Sequence, residues 1–113
     1  MTNDDFNKIV DEQLNYCRFL LCKKGEEYDS NTCDRFHSFK VAAELQKETP
    51  MQALAGMLAK HTVSIYDLIV SGSHNVAIWD EKITDHINYL LLLKGLILEE
   101  IKADTQEDQD VKI

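Results

Sequence analysis

Apolar residues recur at Phe6, Ile9, Val10, Leu14, Cys17, Leu20 and Leu21, the three-and-four spacing that places side chains on one face of an α-helix. The spacing predicts a first helix from Asp4 to Lys23 with Asn3 as its cap. Lys24-Gly25-Glu26-Glu27-Tyr28-Asp29-Ser30-Asn31-Thr32 breaks the pattern and reads as a loop rich in turn formers. A second helix is predicted from Asp34 to Lys47, turning Phe36, Phe39 or Val41, and Leu45 inward. Thr49, Pro50 and Gln52 then supply a capping box with proline at the first helical position. The helix they open carries Leu54, Leu58, Ile65 and Leu68 on one face and runs to Val70, where Ser71-Gly72-Ser73-His74-Asn75 ends it. A fourth helix is predicted from Val76 to Ala103. Trp79, Ile83, Ile87 and Leu90 form one apolar stripe along it, which Leu91 to Leu93 and Leu96 to Leu98 widen nearly all round.

A helix apolar on every side is central in its fold or shared between subunits. The expectation is therefore an all-α bundle of four main helices with a long, Leu-rich C-terminal helix, assembled as a homo-oligomer. Residues 1–103 form the single domain, and 104–113 an acidic flexible tail. Four glycines and one proline in 113 residues fit long helices with few turns.

Two polar stripes interrupt this pattern. At about 100° per residue, Lys60, Ser64 and Asp67 share one arc of the third helix, with Gly56 behind them. Glu81, Asp85 and Asn88 share an arc of the fourth, and that arc continues into Leu92 and Leu96 beside Gly95. Polar side chains sharing a stripe with leucines face protein, and charges in such a place find partners, a metal or a ligand.

Charge narrows the choice of ligand. Twenty acids against 12 bases give −8, which disfavours general nucleic-acid binding, since that needs a basic footprint. Local basic sites remain at Arg35, Lys40, Lys60 and Lys82. No stretch reaches the roughly 18 uninterrupted apolar residues of a membrane helix, so no membrane partner is expected. Three cysteines, Cys17, Cys22 and Cys33, have no recognised metal spacing, and their odd count fits reduced thiols in the cytoplasm. Cys33 and His37 share one helical turn but lack further zinc ligands.

Three constellations carry candidate chemistry. Glu81 and Asp85, one turn apart, can share a magnesium ion with Asp67 from the facing helix; the alternative is a solvated acidic face bridged to Lys60 or Lys82. Lys60, His61 and Ser64, with Arg35 and Lys40 near, offer the cationic and hydroxyl donors that suit a phosphate oxygen. The plainer fate of His61 is a core-edge histidine. Tyr28 and Tyr89 are the aromatics available for stacking on a base, while Trp79 and Phe36 are read as core. There is no glycine-rich phosphate loop and no nucleophile elbow. If the chain is an enzyme, metal-assisted attack of water on a phosphoanhydride is the reaction its residues support.

Lys24-Gly25-Glu26-Glu27-Tyr28, Asp34-Arg35-Phe36 with Phe39-Lys40, Lys60-His61 with Ser64-Ile65 and Asp67, and Trp79-Asp80-Glu81-Lys82-Ile83 with Asp85 and Asn88-Tyr89-Leu90 resemble the phage and bacterial helical family called nucleotide modification associated domain 1. The resemblance runs from Lys24 to about Glu100. More distantly, the chain is similar to the all-helical nucleotide pyrophosphohydrolases of the MazG type, which hold magnesium with acidic pairs on two helices. Asp85 sits where one such aspartate would, but Lys82 stands three residues before it, and Lys60, Ser64 and Asp67 replace the glutamates of the other helix. A pocket that exchanges acids for cations suits a nucleotide binder. The resemblance thus implies binding of a phosphorylated nucleotide or nucleotide-derived signal in a phage nucleotide-handling or anti-defence setting, in the host cytoplasm. Arg35, Lys60, His61 and Ser64 would hold phosphate; Glu81, Asp85 and Asn88 would take base or ribose; Tyr28 or Tyr89 would stack. The alternatives are a magnesium-dependent nucleoside triphosphate pyrophosphohydrolase using Asp67, Glu81 and Asp85, and an interaction bundle docking a host factor through the fourth helix.

Overall fold

A computed structural model describes residues 1–29 and 34–111, with side chains at 1–23 and 34–105. It contains four helices, α1 (Asn3–Asp29), α2 (His37–Gln46), α3 (Pro50–Ser71) and α4 (Val76–Val111), and no strand among the described residues. The all-α bundle is the fold of this chain.

The helix ends follow from short hydrogen bonds. Thr2, not Asn3, caps α1: the Asp5 N–H donates to Thr2 Oγ1 at 3.1 Å. The predicted loop at residues 24–29 is instead the last part of α1. Lysine and glutamate are good helix formers, and one glycine costs only about 1 kcal/mol against alanine, too little to stop a helix already propagating. α2 starts three residues later than predicted, because the Asp34 carboxylate accepts the Phe36 N–H at 3.0 Å and holds a turn there. Lys47, with φ 56°, closes α2 in the left-handed region.

The capping box of α3 forms as its sequence requires: the Gln52 N–H donates to Thr49 Oγ1, and the Thr49 N–H to Gln52 Oε1. Gly72, with φ 68°, ends α3 where a side chain would be strained. Asn75 caps α4 by accepting the Ile78 N–H at 3.2 Å. α4 then continues to Val111, eight residues past the predicted end at Ala103, through a stretch free of glycine and proline.

α3 and α4 form an antiparallel hairpin, and α2 packs on α3. Lys40 ties α2 to its surroundings, reaching Asp34 at 2.8 Å and Glu99 on α4 at 2.6 Å. Phe36 lies directly on Gly95: a Cβ there would stand 2.9 Å from Phe36 Cζ. This close approach accounts for a glycine in the middle of a long helix. α1 comes close to α4 alone among the helices and runs parallel to it, since Gln13 bonds Thr84 while Leu20 and Leu21 share a cavity with Asn88 and Leu92.

The core is small. Cys17, Ala43, Ala53, Leu54 and Leu96 are its fully buried apolar residues among those described, joined by Thr84 and Asn88. Phe36, Phe39, Leu58, Ile65 and Leu68 are half-buried as expected for inward faces, whereas Leu45 and Val41 of α2 are exposed. Ala43 takes the inward place on α2 instead. α3 is long and apolar enough to cross a membrane by length and composition, with 11% of that stretch buried; here it packs against α2 and α4.

Candidate functional site

Among the described residues α1 packs on α4 but on neither α2 nor α3, so a gap opens between it and those two helices. That gap is a cavity of about 510 Å³, within the range of small-molecule sites. Each helix gives it a wall. Leu20 and Leu21 come from α1; Ser38, Phe39, Ala42 and Gln46 from α2; Gln52, Ala53, Gly56 and Met57 from α3; Asp85, Asn88, Tyr89 and Leu92 from α4. Arg35 and Glu48 stand at the ends of α2. Phe39 and Tyr89 meet edge to face with centroids 6.4 Å apart, which fixes the aromatic side of the cavity.

Asn88 is the most informative residue here. It is 8% exposed, and its Oδ1 is buried without a hydrogen-bond partner among the described residues. A buried acceptor left unmade costs about 1–3 kcal/mol. Asn88 stands in a cavity wall made mostly of apolar side chains.

A second cavity, of about 780 Å³, lies between α1 and the start of α4. Ile9, Glu12, Gln13 and Tyr16 face Ala77, Asp80, Glu81 and Thr84 across it, and Leu20 and Asp85 border both cavities. The two are neighbouring parts of one cleft. Gln13 closes the cleft floor by donating from Nε2 to Thr84 Oγ1 at 2.8 Å.

The structure sorts the residues that the sequence singled out. Arg35, Asp85, Asn88 and Tyr89 meet in the first cavity. Glu81 is exposed and borders the second. His61 lines neither: it packs on the Tyr89 ring with centroids 4.6 Å apart, the core-edge role. Ser64 turns its hydroxyl back to the Lys60 carbonyl at 3.2 Å, the habit of a helical serine. Lys60 and Asp67 are exposed and line neither cavity. The phosphate cluster of Lys60, His61 and Ser64 is therefore not assembled at the cleft.

No group of three or more His, Cys, Asp or Glu able to hold a metal is present among the described residues. Asp67 lies with Lys60 on an exposed arc of α3 and lines neither cavity, whereas Asp85 borders both and Glu81 the second. Tyr28, Glu26, Glu27 and Cys33 have side chains outside the described residues, which leaves out the predicted stacking tyrosine and the Cys33–His37 pair. Trp79 donates its Nε1–H to the Ser73 carbonyl at 2.7 Å and anchors the α3–α4 turn, in keeping with its reading as structural.

Sequence reasoning missed the α2 and α3 walls, Ser38, Gln46 and Met57, and the Gln13–Thr84 bond. One signal was present: Gln13 interrupts an otherwise apolar face of α1 between Ile9 and Cys17, and a polar residue at a core position needs a partner. No protein-family model, curated protein or solved structure matches the chain.

Proposed function

We propose that the cleft between α1 and the α2–α3–α4 unit binds a nucleotide-derived small molecule. The base would lie in the 510 Å³ cavity between the apolar wall of Leu20, Leu21 and Leu92 and the Phe39–Tyr89 pair. The carrying observation is the unpartnered Oδ1 of Asn88, an acceptor suited to the exocyclic amine or ring N–H of a base. Asp85 beside it would take a second base donor or a ribose hydroxyl.

The phosphate would go to Arg35. It is the one cation among the described lining residues, set against Glu48 and Asp85. That balance favours one phosphate group, as in a nucleoside monophosphate or a cyclic nucleotide, over a triphosphate. With Lys60 and His61 away from the cavity, their phosphate role is dropped from this reading.

Thermal-shift titration against nucleosides, nucleoside mono- and triphosphates and cyclic dinucleotides, with and without magnesium, tests it. A monophosphate or cyclic ligand should raise the melting temperature, and Asn88→Leu should abolish the shift. Chromatography of the same mixtures reads turnover. A flat response to every member of the panel, with no small molecule released on denaturing freshly purified protein, would sink the proposal.

A further inference from the structure

The outer side of α4 is more apolar than its inner side. Ile83, Leu90, Leu91, Leu98 and Ile101 are all exposed, and Ile87 and Ile97 between them are half-buried. Ile83, Ile87, Leu90, Lys94, Ile97 and Ile101 follow one another at intervals of four, three, four, three and four. That alternation is the seam along which helices pack into one another. It extends over about 27 Å at 1.5 Å per residue. In a chain of 20 acids this seam contains none, and its single charge, Lys94, has a stem long enough to lift its ammonium to the rim.

α1 widens the same side. Measured from the Gln13–Thr84 hydrogen bond, rotation one way around each helix leads to the cleft, through Ile9 and Tyr16 on α1 and through Glu81 and Asp85 on α4. Rotation the other way leads to Val10 and Leu14 on α1 and to Ile83 and Ile87 on α4, at about 100° per residue. Val10 and Leu14 are exposed. On α4 the apolar surface therefore lies on the side turned from Glu81 and Asp85; on α1 Val10 and Leu14 adjoin it, while Leu21, further along the same arc, reaches the first cavity.

Its area states what it lacks. The chain exposes 8668 Å², whereas a compact folded monomer of 13.0 kDa exposes about 6,300 Å². Its radius of gyration is 17.6 Å, against about 13 Å for a compact chain of this length. The excess, on the order of 2,300 Å² over the whole chain, is large enough to hold one partner's share of an obligate homodimer interface. The seam on α4 is an acid-free apolar strip within that exposed surface.

We infer that this chain forms a homodimer in which the apolar side of α4, centred on Leu90, Leu91 and Leu98, docks on the same surface of a second copy. The two clefts would then open outwards on opposite sides, each built within one chain. The dimer does not depend on what the cleft binds.

Light scattering behind size exclusion tests the full chain. Wild type should give twice the 13.0 kDa chain mass at micromolar concentration, with a melting temperature that rises with protein concentration. Leu90→Asp combined with Leu98→Asp should yield monomer or unfolded chain, while Val63→Asp combined with Val70→Asp, on the exposed side of α3, should leave the dimer intact. Because the first variant can unfold, a photoreactive benzoylphenylalanine is placed at Leu90, or at Val70 as control. Cross-linked dimer from Leu90 and none from Val70 supports the inference. Wild type that stays monomeric, a Leu90/Leu98 variant that stays dimeric, or cross-linking from Val70 alone overturns it.

Discussion

The two sides of α4 are inverted relative to an ordinary bundle helix. Its inner side carries Thr84, Asp85 and Asn88 before reaching Leu92 and Leu96, while its outer side is a nearly continuous run of isoleucine and leucine. A helix stabilised only by its own chain would place those groups the other way round. The difference is what the proposed cleft ligand and the proposed second copy would each account for: a polar inner side facing the cleft and an apolar outer side left exposed.

The largest expected effect separates two leucines two positions apart. Leu96 is 1% exposed and Leu98 is 56% exposed. Leu96→Ala should cost about 2–5 kcal/mol of folding stability, the ordinary range for a buried leucine. Leu98→Ala should cost little within a chain and show itself as a weaker dimer. Urea melts at two protein concentrations measure both, and a Leu98 variant that loses stability equally at every concentration would erase the contrast.

Asn88→Leu comes next. Removing a buried acceptor without a partner should raise stability by about 1–3 kcal/mol while ligand response is lost, a stability gain at the expense of function. Destabilisation instead would mean that Asn88 is satisfied in the free protein.

The two helical glycines make a smaller, opposed pair. A Cβ on Gly95 meets Phe36 at 2.9 Å, and one on Gly56 meets nothing within 4 Å. Gly56→Ala should gain about 1 kcal/mol in helix propensity, yet narrow the cavity that Gly56 lines and weaken ligand binding. Gly95→Ala should lose about 1 kcal/mol net, since overpacking costs about 1–3 kcal/mol against a similar propensity gain. Thermal melts of the two variants should move in opposite directions.

The smallest effect belongs to Lys40. Its hydrogen bond holds the Asp34 carboxyl below its ordinary range, helped by the Phe36 N–H. Hydrogen bonds to Asp34 and then Glu99 hold the Lys40 ammonium above its own. All three side chains are more than a third exposed, so Lys40→Met should cost less than about 1 kcal/mol. The sign follows from linkage. The depressed Asp34 contributes stability above the ordinary carboxylate pKa, lost as pH falls through its lowered folded value; the raised Lys40 contributes below the ordinary lysine pKa, lost as pH rises through its raised one. The difference between wild type and variant should be flat from about pH 5 to 9 and shrink outside that window.

Local rules carried most of the fold. Apolar spacing placed the four helices, and the Thr49–Gln52 box and Gly72 set both ends of α3; the close approach of Phe36 to Gly95 came only with the structure. Where the reading erred, a local rule met a competing one: turn-forming residues at 24–29 gave way to helix propagation, and Asp34 preferred a turn to a first helical residue. The stripe of Asp85 and Asn88 was legible as inward because leucines extend it. The companion stripe of Lys60, Ser64 and Asp67 has the same spacing but turns to solvent, and spacing alone carries no information about which arc of a helix its neighbours cover.

That asymmetry marks the division between what one dimension carries and what three dimensions add. Helix positions, caps and the acid-poor seam of α4 arise from interactions within a few residues, so the order of amino acids suffices to locate them. Which residues meet in the cleft depended on α1 lying along α4 while keeping clear of α2 and α3. That placement arises from packing between segments up to 71 residues apart, as between Gln13 and Thr84, where side-chain volume and a polar bond across the interface set the register.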